Sequence, residues 1–238
     1  MRVLLVYPPD PDTFWSFKHV LRVVSKRATF PPLGLLTVAA MLPPDWELRL
    51  VDCNVRRLKD ADLAWADYVF LSGMIVHQQA VRGIIERCRQ HRKPIIAGGP
   101  LFTTGHEQFA DIDHFVLGEA ELLIPQLIAD MEAGTVRRFY RSDQRPDMRH
   151  VPVPRWDLIQ LRHYVTMPVQ FSRGCPFDCE FCDIIVMNGR VPRSKEPVQL
   201  IAELEALRRA GWKDMVFVVD DNFIGDRRRT KSLLRELI

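Results

Sequence analysis

Short apolar runs alternate with helix-length segments through the first 140 residues of the 238-residue chain. This alternation is typical of βαβ units, in which a parallel sheet carries helices on both faces. Five strands are predicted, each ending where polar or glycine residues begin. They span residues 3–7, 47–51, 68–72, 94–97 and 114–117. The pattern therefore predicts an α/β fold that begins with a doubly wound, five-stranded parallel sheet.

Four of the predicted strands end in residues that suit ligand binding. In open parallel sheets, ligands bind at the carboxyl ends of the strands, and glycine there lets the backbone approach a bulky ligand closely. The residues at these ends are Asp52, Cys53, Asn54, Ser72, Gly73, Met74, Gly98, Gly99, Gly118 and Glu119. Each could be an ordinary strand-to-helix turn, whereas the four together on one edge indicate a large cofactor. Both interpretations stay open at this point.

A second α/β unit follows the first. Residues 143–155 contain three prolines and little apolar periodicity, which is typical of a linker. Strand-like segments at 164–172 and 215–219 alternate with helical segments that begin near Pro197 and Arg229. We therefore predict a first domain at 1–142, a linker at 143–163 and an incomplete second domain at 164–238.

Three of the five cysteines, Cys175, Cys179 and Cys182, fall within eight residues. Such density indicates a shared metal centre, because free cysteines are usually scattered singly. A closed structural zinc site needs four ligands, usually as two separated pairs, and no second pair is present in the sequence. Three thiolates leave one metal position open, as in reactive iron–sulfur centres. An iron–sulfur cluster is favoured, with zinc as the alternative.

Composition narrows the class of protein further. A formal net charge of +3 is too mild to indicate a nucleic-acid partner. The apolar run at the N-terminus stops at Pro8-Pro9, so it is too short for a signal peptide or a transmembrane segment. With an odd cysteine count and no export signal, we expect a reducing, cytoplasmic location.

The motif Cys175-x-x-x-Cys179-x-x-Cys182, with the aromatic Phe181 before its last cysteine, resembles the signature of radical S-adenosylmethionine (SAM) enzymes. The upstream unit resembles the flavodoxin-like cobalamin (B12)-binding domain that precedes the radical SAM partial TIM barrel in the B12-dependent branch. The segments that carry this second likeness are Pro31-Pro32-Leu33-Gly34-Leu35, Asp52-x-Asn54, Gly98-Gly99-Pro100 and Gly118-Glu119-Ala120-Glu121. Residues 173–184 and 219–225 resemble a subgroup with an uncharacterised C-terminal domain, which is related to hopanoid methylases.

The resemblance implies roles for individual residues. The three motif cysteines are implied to hold three irons of a [4Fe-4S] cluster whose fourth iron binds SAM. The implied SAM contacts are Phe181, near the adenine, and Asp220, Asp221 and Asn222, near the amine. An acidic group suits an ammonium, and the alternative for the two aspartates is a helix cap after the strand.

Cobalamin is the third cofactor that the resemblance implies. The implied contacts are Asp52, Asn54, Ser72, Gly73, Met74, Gly98, Gly99, Gly118 and Glu119. The best-known cobalamin pattern, Asp-x-His-x-x-Gly, has a histidine that ligates cobalt from below, and Asn54 stands at that place here. We therefore expect no histidine ligand, with the lower cobalt face empty or bound by water. Cys53 is a conceivable soft ligand, although a buried structural role is the preferred interpretation.

The resemblance implies an enzyme that reductively cleaves SAM and methylates an unactivated carbon. A non-methylating rearrangement or oxidation, an inactive fragment and a zinc-stabilised binding module are the alternatives. The implied partners are a small-molecule or lipid substrate and an external electron donor of the flavodoxin or ferredoxin type. Only about two β/α units follow the cysteine loop, so part of the barrel is expected to be missing.

Overall fold

A six-stranded parallel sheet, in the order β2-β1-β3-β4-β5-β6, forms the first part of the computed structural model. The structure describes residues 1–13 and 16–238, apart from the side chains of Lys18 and Arg22. The strands are β1 (Arg2–Tyr7), β2 (Glu47–Asp52), β3 (Tyr68–Ser72), β4 (Ile95–Gly98), β5 (His114–Leu117) and β6 (Phe139–Arg141). All five predicted strands are present, and the α/β class is confirmed. The sheet has one strand more than predicted, because β6 is only three residues long.

Side chains alternate between the two faces of each strand, and each face carries its own core. Leu4 and Val6 pack into one core, whereas Val3 and Leu5 pack into the other. This period of two is the geometry of a strand buried on both sides. The helices that follow in the chain are α1 (Lys18–Val23), α2 (Leu33–Met41), α3 (Asp60–Trp65), α4 (Gln78–Gln90), α5 (Pro100–Gly105) and α6 (Ile124–Ala133).

Strand order reverses at β1, which lies between β2 and β3. This is the flavodoxin-like order, and ligands of such sheets bind outside the carboxyl ends of the strands at the reversal. The second unit lies against this edge of the sheet, since Tyr164 hydrogen-bonds to Asp52 at the end of β2. Tyr164 also packs with Leu36 of α2 in a third core that the two units share.

The second unit contains two small sheets. Strand β7 (Met167–Val169) pairs in parallel with β10 (Val216–Val218), and β8 (Ser172–Arg173) pairs antiparallel with β9 (Arg193–Ser194). The predicted strand at 164–172 is therefore divided into two short strands. The helices are α7 (Ile184–Met187), α8 (Pro197–Arg209) and α9 (Arg227–Glu236). Among the described residues, no helix combines the length and apolar character needed to cross a membrane.

Candidate cofactor site

A cavity of about 290 Å³ opens at the carboxyl edge of the six-stranded sheet. Part of its wall comes from residues that the sequence singled out at strand ends. They are Ser72, Gly98, Gly99, Gly118 and Glu119. Another part comes from Arg173, Met187 and Asn188, which flank the cysteine loop. The structure therefore brings the glycine-rich strand ends and the flanks of the cysteine loop to one cavity.

Glycine opens space in this wall at two places. A Cβ atom built on Gly34 or on Gly118 would meet no atom within 4 Å, so the space beside both backbones is free for a ligand. Gly99 differs, because a Cβ there would lie 2.5 Å from Ser72 Oγ. The missing side chain at Gly99 is thus explained by packing within the protein. The open, largely apolar cradle beside Gly34 and Gly118 fits part of a large flat organic cofactor.

Asp52 and Asn54 lie outside the wall of this cavity. The Asp52 side chain is buried; it accepts hydrogen bonds from the Asn54 backbone N–H at 2.9 Å and from the Tyr164 hydroxyl at 3.1 Å. Burial raises the pKa of the Asp52 carboxyl to about 6, against the opposing effect of these hydrogen bonds. Asn54 Oδ1 accepts a hydrogen bond from the Asp10 backbone N–H at 2.8 Å. Both side chains thus make protein contacts, and Asn54 also lines a separate cavity of about 690 Å³, so both predicted cobalamin contacts stay predictions.

A buried histidine that the sequence analysis missed stands beside the predicted contact Met74. His77 is only 1% exposed, and its Nδ1 accepts the Met74 backbone N–H at 3.0 Å. In the neutral ring the proton then sits on Nε2, which donates to Asp10 Oδ1 at 2.8 Å. Both ring nitrogens are thus engaged in protein hydrogen bonds. Met74, Ile75 and Val76 expose apolar side chains at the same strand end.

The cysteine loop leaves and re-enters the second unit through the β8–β9 pair, in which Arg173 lies opposite Arg193. The Cys175 backbone N–H donates to the Gly189 carbonyl at 3.1 Å, which closes the loop near its base. Cys175 and Cys182 are half-buried and Cys179 is exposed. Phe181 is 93% exposed, so its predicted adenine contact stays a prediction.

The three loop thiols form a donor set that suits iron and sulfide, although their side chains are not gathered around one point. In residues 1–13 and 16–238, no group of three or more His, Cys, Asp or Glu side chains is arranged to hold a metal ion. The exposed position of Cys179 leaves the loop open to solvent. Cluster binding therefore requires the three side chains to turn toward one another.

Asp220, Asp221 and Asn222 follow β10 and contact the base of the cysteine loop. Asp220 accepts hydrogen bonds from the backbone N–H groups of Phe171 at 2.7 Å and Ser172 at 2.8 Å. Burial raises the pKa of the Asp220 carboxyl, and these hydrogen bonds oppose the rise. A helix cap by these residues is not what the structure shows, because Asp226 caps α9.

The neighbouring residues of this segment reach the loop itself. Asp221 Oδ2 accepts hydrogen bonds from the Gly174 backbone N–H and from Asn188 Nδ2, both at 2.8 Å. The amide nitrogen of Asn222 lies 3.5 Å from Cys175 Sγ. Asp221 and Asn222 thus lie beside Cys175 and hold the base of the loop, and their predicted contact with SAM stays a prediction.

Glu119 and Glu121, at the end of β5, form ion pairs with the second unit. Arg173 Nη1 lies 2.9 Å from Glu119 Oε2 and 2.8 Å from Glu121 Oε1. Arg193 contacts both oxygens of Glu119, at 2.7 and 3.1 Å. The sequence analysis missed both arginines as site residues, because their partners lie 54 and 74 residues away along the chain.

The two cysteines outside the loop pack against the core of the sheet, with Cys88 buried and Cys53 half-buried. Burial raises the pKa of the Cys53 thiol to about 11, with a further rise from the nearby Asp52 charge, and raises that of Cys88 to about 12. Both thiols stay protonated at neutral pH, and the protonated thiol is a poor metal ligand. This favours the buried structural role over metal ligation by Cys53.

Residues 20–128 match the protein family described as the B12 binding domain. The chain contains a B12-binding domain. The matched residues include β2, β3, β4 and β5, and the ends of β3, β4 and β5 form part of the cavity wall. The predicted resemblance to B12-binding radical SAM proteins is confirmed by this match together with the relatives below.

Two curated relatives align along the full length of the chain. An uncharacterised methyltransferase of Synechocystis sp. is 47% identical over 239 residues, covering 100% of this chain and 45% of the relative. Hopanoid C-2 methylase of Rhodopseudomonas palustris is 37% identical over 242 residues, covering 100% of this chain and 46% of the methylase. The chain thus spans about half the length of these relatives.

The fold of the B12-binding domain and the unit after it also occurs in a solved structure. The cobalamin-dependent SAM radical enzyme OxsB, determined with aqua-cobalamin and SAM bound, superposes with a TM-score of 0.76 at 18% sequence identity. The superposition covers 99% of this chain and 37% of OxsB. At this identity the likeness establishes the shared fold.

Proposed function

We propose that this chain is the cofactor-binding part of a cobalamin-dependent radical SAM enzyme, and that the enzyme is a C-methyltransferase. The observation that carries the proposal is the shared cavity, whose wall joins the glycine-rich strand ends to residues on both sides of the cysteine loop. A methyl carrier held by the B12-binding domain then faces a metal centre held by the loop. The names of the two curated relatives support the methyl-transfer assignment.

The B12-binding domain offers cobalamin the open cradle beside Gly34 and Gly118. A cavity of about 290 Å³ is smaller than a whole corrinoid, so it takes part of the cofactor and the rest lies over the strand ends. The apolar side chains of Met74, Ile75 and Val76 suit contact with the corrin. Asn54 stands at the place of the ligating histidine, and both ring nitrogens of His77 are engaged; on these grounds we propose that cobalt would receive no histidine ligand.

Cys175, Cys179 and Cys182 would hold a [4Fe-4S] cluster that leaves one iron for SAM. When bound, the cluster supplies the electron that cleaves SAM, and cobalamin supplies the carrier for the methyl group. The chain's own residues orient this centre, since Asp221 holds Gly174 and Asn188 on the two sides of the loop. The domains proposed are a B12-binding domain at 1–142, a linker at 143–163 and the start of the radical SAM domain at 164–238.

The substrate class is proposed from the relatives alone. Hopanoid C-2 methylase suggests an apolar lipid with an unactivated carbon, and an external flavodoxin- or ferredoxin-type protein would supply the electron in the cytoplasm. Incubating the full-length protein with SAM that carries an isotopically labelled methyl group tests this part. Label in a lipid product supports it, whereas consumption of SAM without transfer of the label to a product indicates a non-methylating reaction.

Anaerobic reconstitution with iron and sulfide, followed by absorption and EPR spectra, tests the cluster. The wild-type protein is expected to show a [4Fe-4S] signal that changes when SAM is added. Cys179→Ala is expected to lose it, whereas the control Cys88→Ala keeps it, because Cys88 lies in the core of the sheet. Purification with zinc and without iron or sulfide, or a full cluster in Cys179→Ala, would contradict the proposal.

A further inference from the structure

Glu119 is the point at which the end of β5 meets the cysteine-loop unit. Its side chain is 7% exposed, and each carboxylate oxygen already accepts a hydrogen bond from a guanidinium group. Bidentate arginine–carboxylate pairs of this kind are strong and geometrically specific. A carboxylate so occupied is poorly placed to bind a further ligand from the cavity.

The arginines that contact Glu119 come from both sides of the cysteine loop. Arg173 immediately precedes Gly174 and Cys175, and Arg193 follows the loop on β9. Arg193 also donates to the Asn188 carbonyl at 2.9 Å, so it fixes the returning part of the loop as well. One carboxylate therefore holds the departing and the returning ends of the loop.

A third arginine adds the linker to this cluster. Arg145 lies 3.7 Å from Glu119 Oε1 and donates to the carbonyl groups of Val186 and Met187 in α7. The linker and the helix after the motif cysteines are thereby tied to the same carboxylate. Removing one member of such a largely buried cluster leaves uncompensated charge, so the loop is expected to loosen.

We propose that Glu119 is a positioning residue that fixes the cysteine loop against the B12-binding domain, and that it is not a cobalamin contact. Glu121 assists through its own contact with Arg173 at 2.8 Å. The inference rests on the proposed function for the identity of the two cofactors. The ion-pair cluster itself is a property of the protein without cofactors, so it can be tested separately.

The first test uses the cofactor-free protein and alkylation of its thiols by N-ethylmaleimide. Glu119→Gln is expected to raise the rates at the half-buried Cys175 and Cys182 about tenfold, the scale of coupling between contacting charged groups. The rate at the exposed Cys179 is expected to change less than about twofold. Glu205→Gln is the matched control, because Glu205 pairs with Arg209 on the exposed face of α8. Unchanged rates in a folded Glu119→Gln protein would overturn the proposal.

Arg173→Lys provides a second variant if Glu119→Gln does not fold. Lysine keeps the positive charge but lacks the guanidinium geometry in which Nη1 contacts both glutamates while Nε donates to Gln170, so a smaller rise in the same two rates is expected. No rise in Arg173→Lys would count against the proposal just as directly.

The second test uses aquacobalamin titration and pulsed EPR of the reconstituted protein. A positioning role predicts that Glu119→Gln broadens the cluster–cobalt distance distribution while the Kd for aquacobalamin changes less than about threefold. A Kd raised tenfold or more with unchanged thiol rates would identify Glu119 as a cobalamin contact and refute the positioning role. If the wild-type protein binds neither cofactor, the proposed function fails, and the thiol rates still decide whether Glu119 fixes the loop.

Discussion

Replacing Gly174 with alanine tests how tightly the base of the cysteine loop is packed. Its φ angle is +96°, a conformation that costs a residue with a Cβ atom about 1–3 kcal/mol. The added Cβ would lie 2.8 Å from the Val191 carbonyl oxygen and 3.1 Å from that of Gly189. These backbone atoms cannot rotate away as a side chain can, so overpacking adds about 1–3 kcal/mol. We expect a total loss of about 2–6 kcal/mol.

Gly118→Ala is the matched control for this substitution. Gly118 has nearly the same φ angle, +99°, but a Cβ there meets no atom within 4 Å. Gly118→Ala therefore measures the cost of the positive φ angle alone, without the steric clash. In urea unfolding followed by tryptophan fluorescence, Gly174→Ala is expected to be less stable than Gly118→Ala by about 1–3 kcal/mol. Alkylation of Cys175 is expected to be faster in Gly174→Ala. Equal stabilities together with equal thiol rates would refute the reasoning.

Three further predictions concern polar side chains that are buried or half-buried, namely Asp52, Asp220 and His77. The folded protein holds the Asp52 proton more tightly than the unfolded chain, because the pKa is raised to about 6. Stability should therefore fall by about 2 kcal/mol as pH rises from 4 to 6, and should level off above about pH 7. Asp52→Asn should lack this fall, which urea unfolding of both proteins across pH 4 to 7.5 measures. Asp220→Asn should lower the free energy of unfolding by about 1–3 kcal/mol relative to the wild type, because it weakens three hydrogen bonds to residues 171 and 172. If the variant instead keeps its stability and binds SAM more weakly, Asp220 is a SAM contact. EPR of bound cob(II)alamin should show no splitting from a protein nitrogen, either in the wild type or in His77→Ala. A splitting that is present in the wild type and absent in His77→Ala would identify His77 as a cobalt ligand.

The strands of the B12-binding domain could be predicted because each is an apolar run bounded by polar or glycine residues. The sixth strand could not. Its three residues follow Arg137 and Arg138, and its place depends on pairing with β5, where Phe139 stacks on Phe115 with ring centroids 5.6 Å apart. Pairing between distant segments carries no local signal of this kind.

The candidate site was predictable to the extent that topology fixes it. Parallel strands end on the same edge, so Gly98 and Gly118 had to lie near each other. The sequence could not show that the flanks of the cysteine loop would meet this edge. That contact depends on the pairing of Arg173 with Glu119, two residues separated by 54 positions. It also depends on the Asp52–Tyr164 hydrogen bond, across 112 positions.

Asp52 and Glu119 illustrate why acidic residues at strand ends are ambiguous in a sequence. A carboxylate at the carboxyl edge of a sheet can bind a ligand, or it can accept a hydrogen bond from a neighbouring unit. A buried carboxylate needs one of these partners, because an unpaired buried charge is costly. In this protein both side chains find donors in the second unit, from Tyr164 and Arg173. The open space in the cavity lies instead beside Gly34 and Gly118. A substitution of either carboxylate is therefore expected to disturb first the contact with the second unit, through Tyr164 or Arg173, which thiol alkylation and unfolding measurements report independently of cofactor binding.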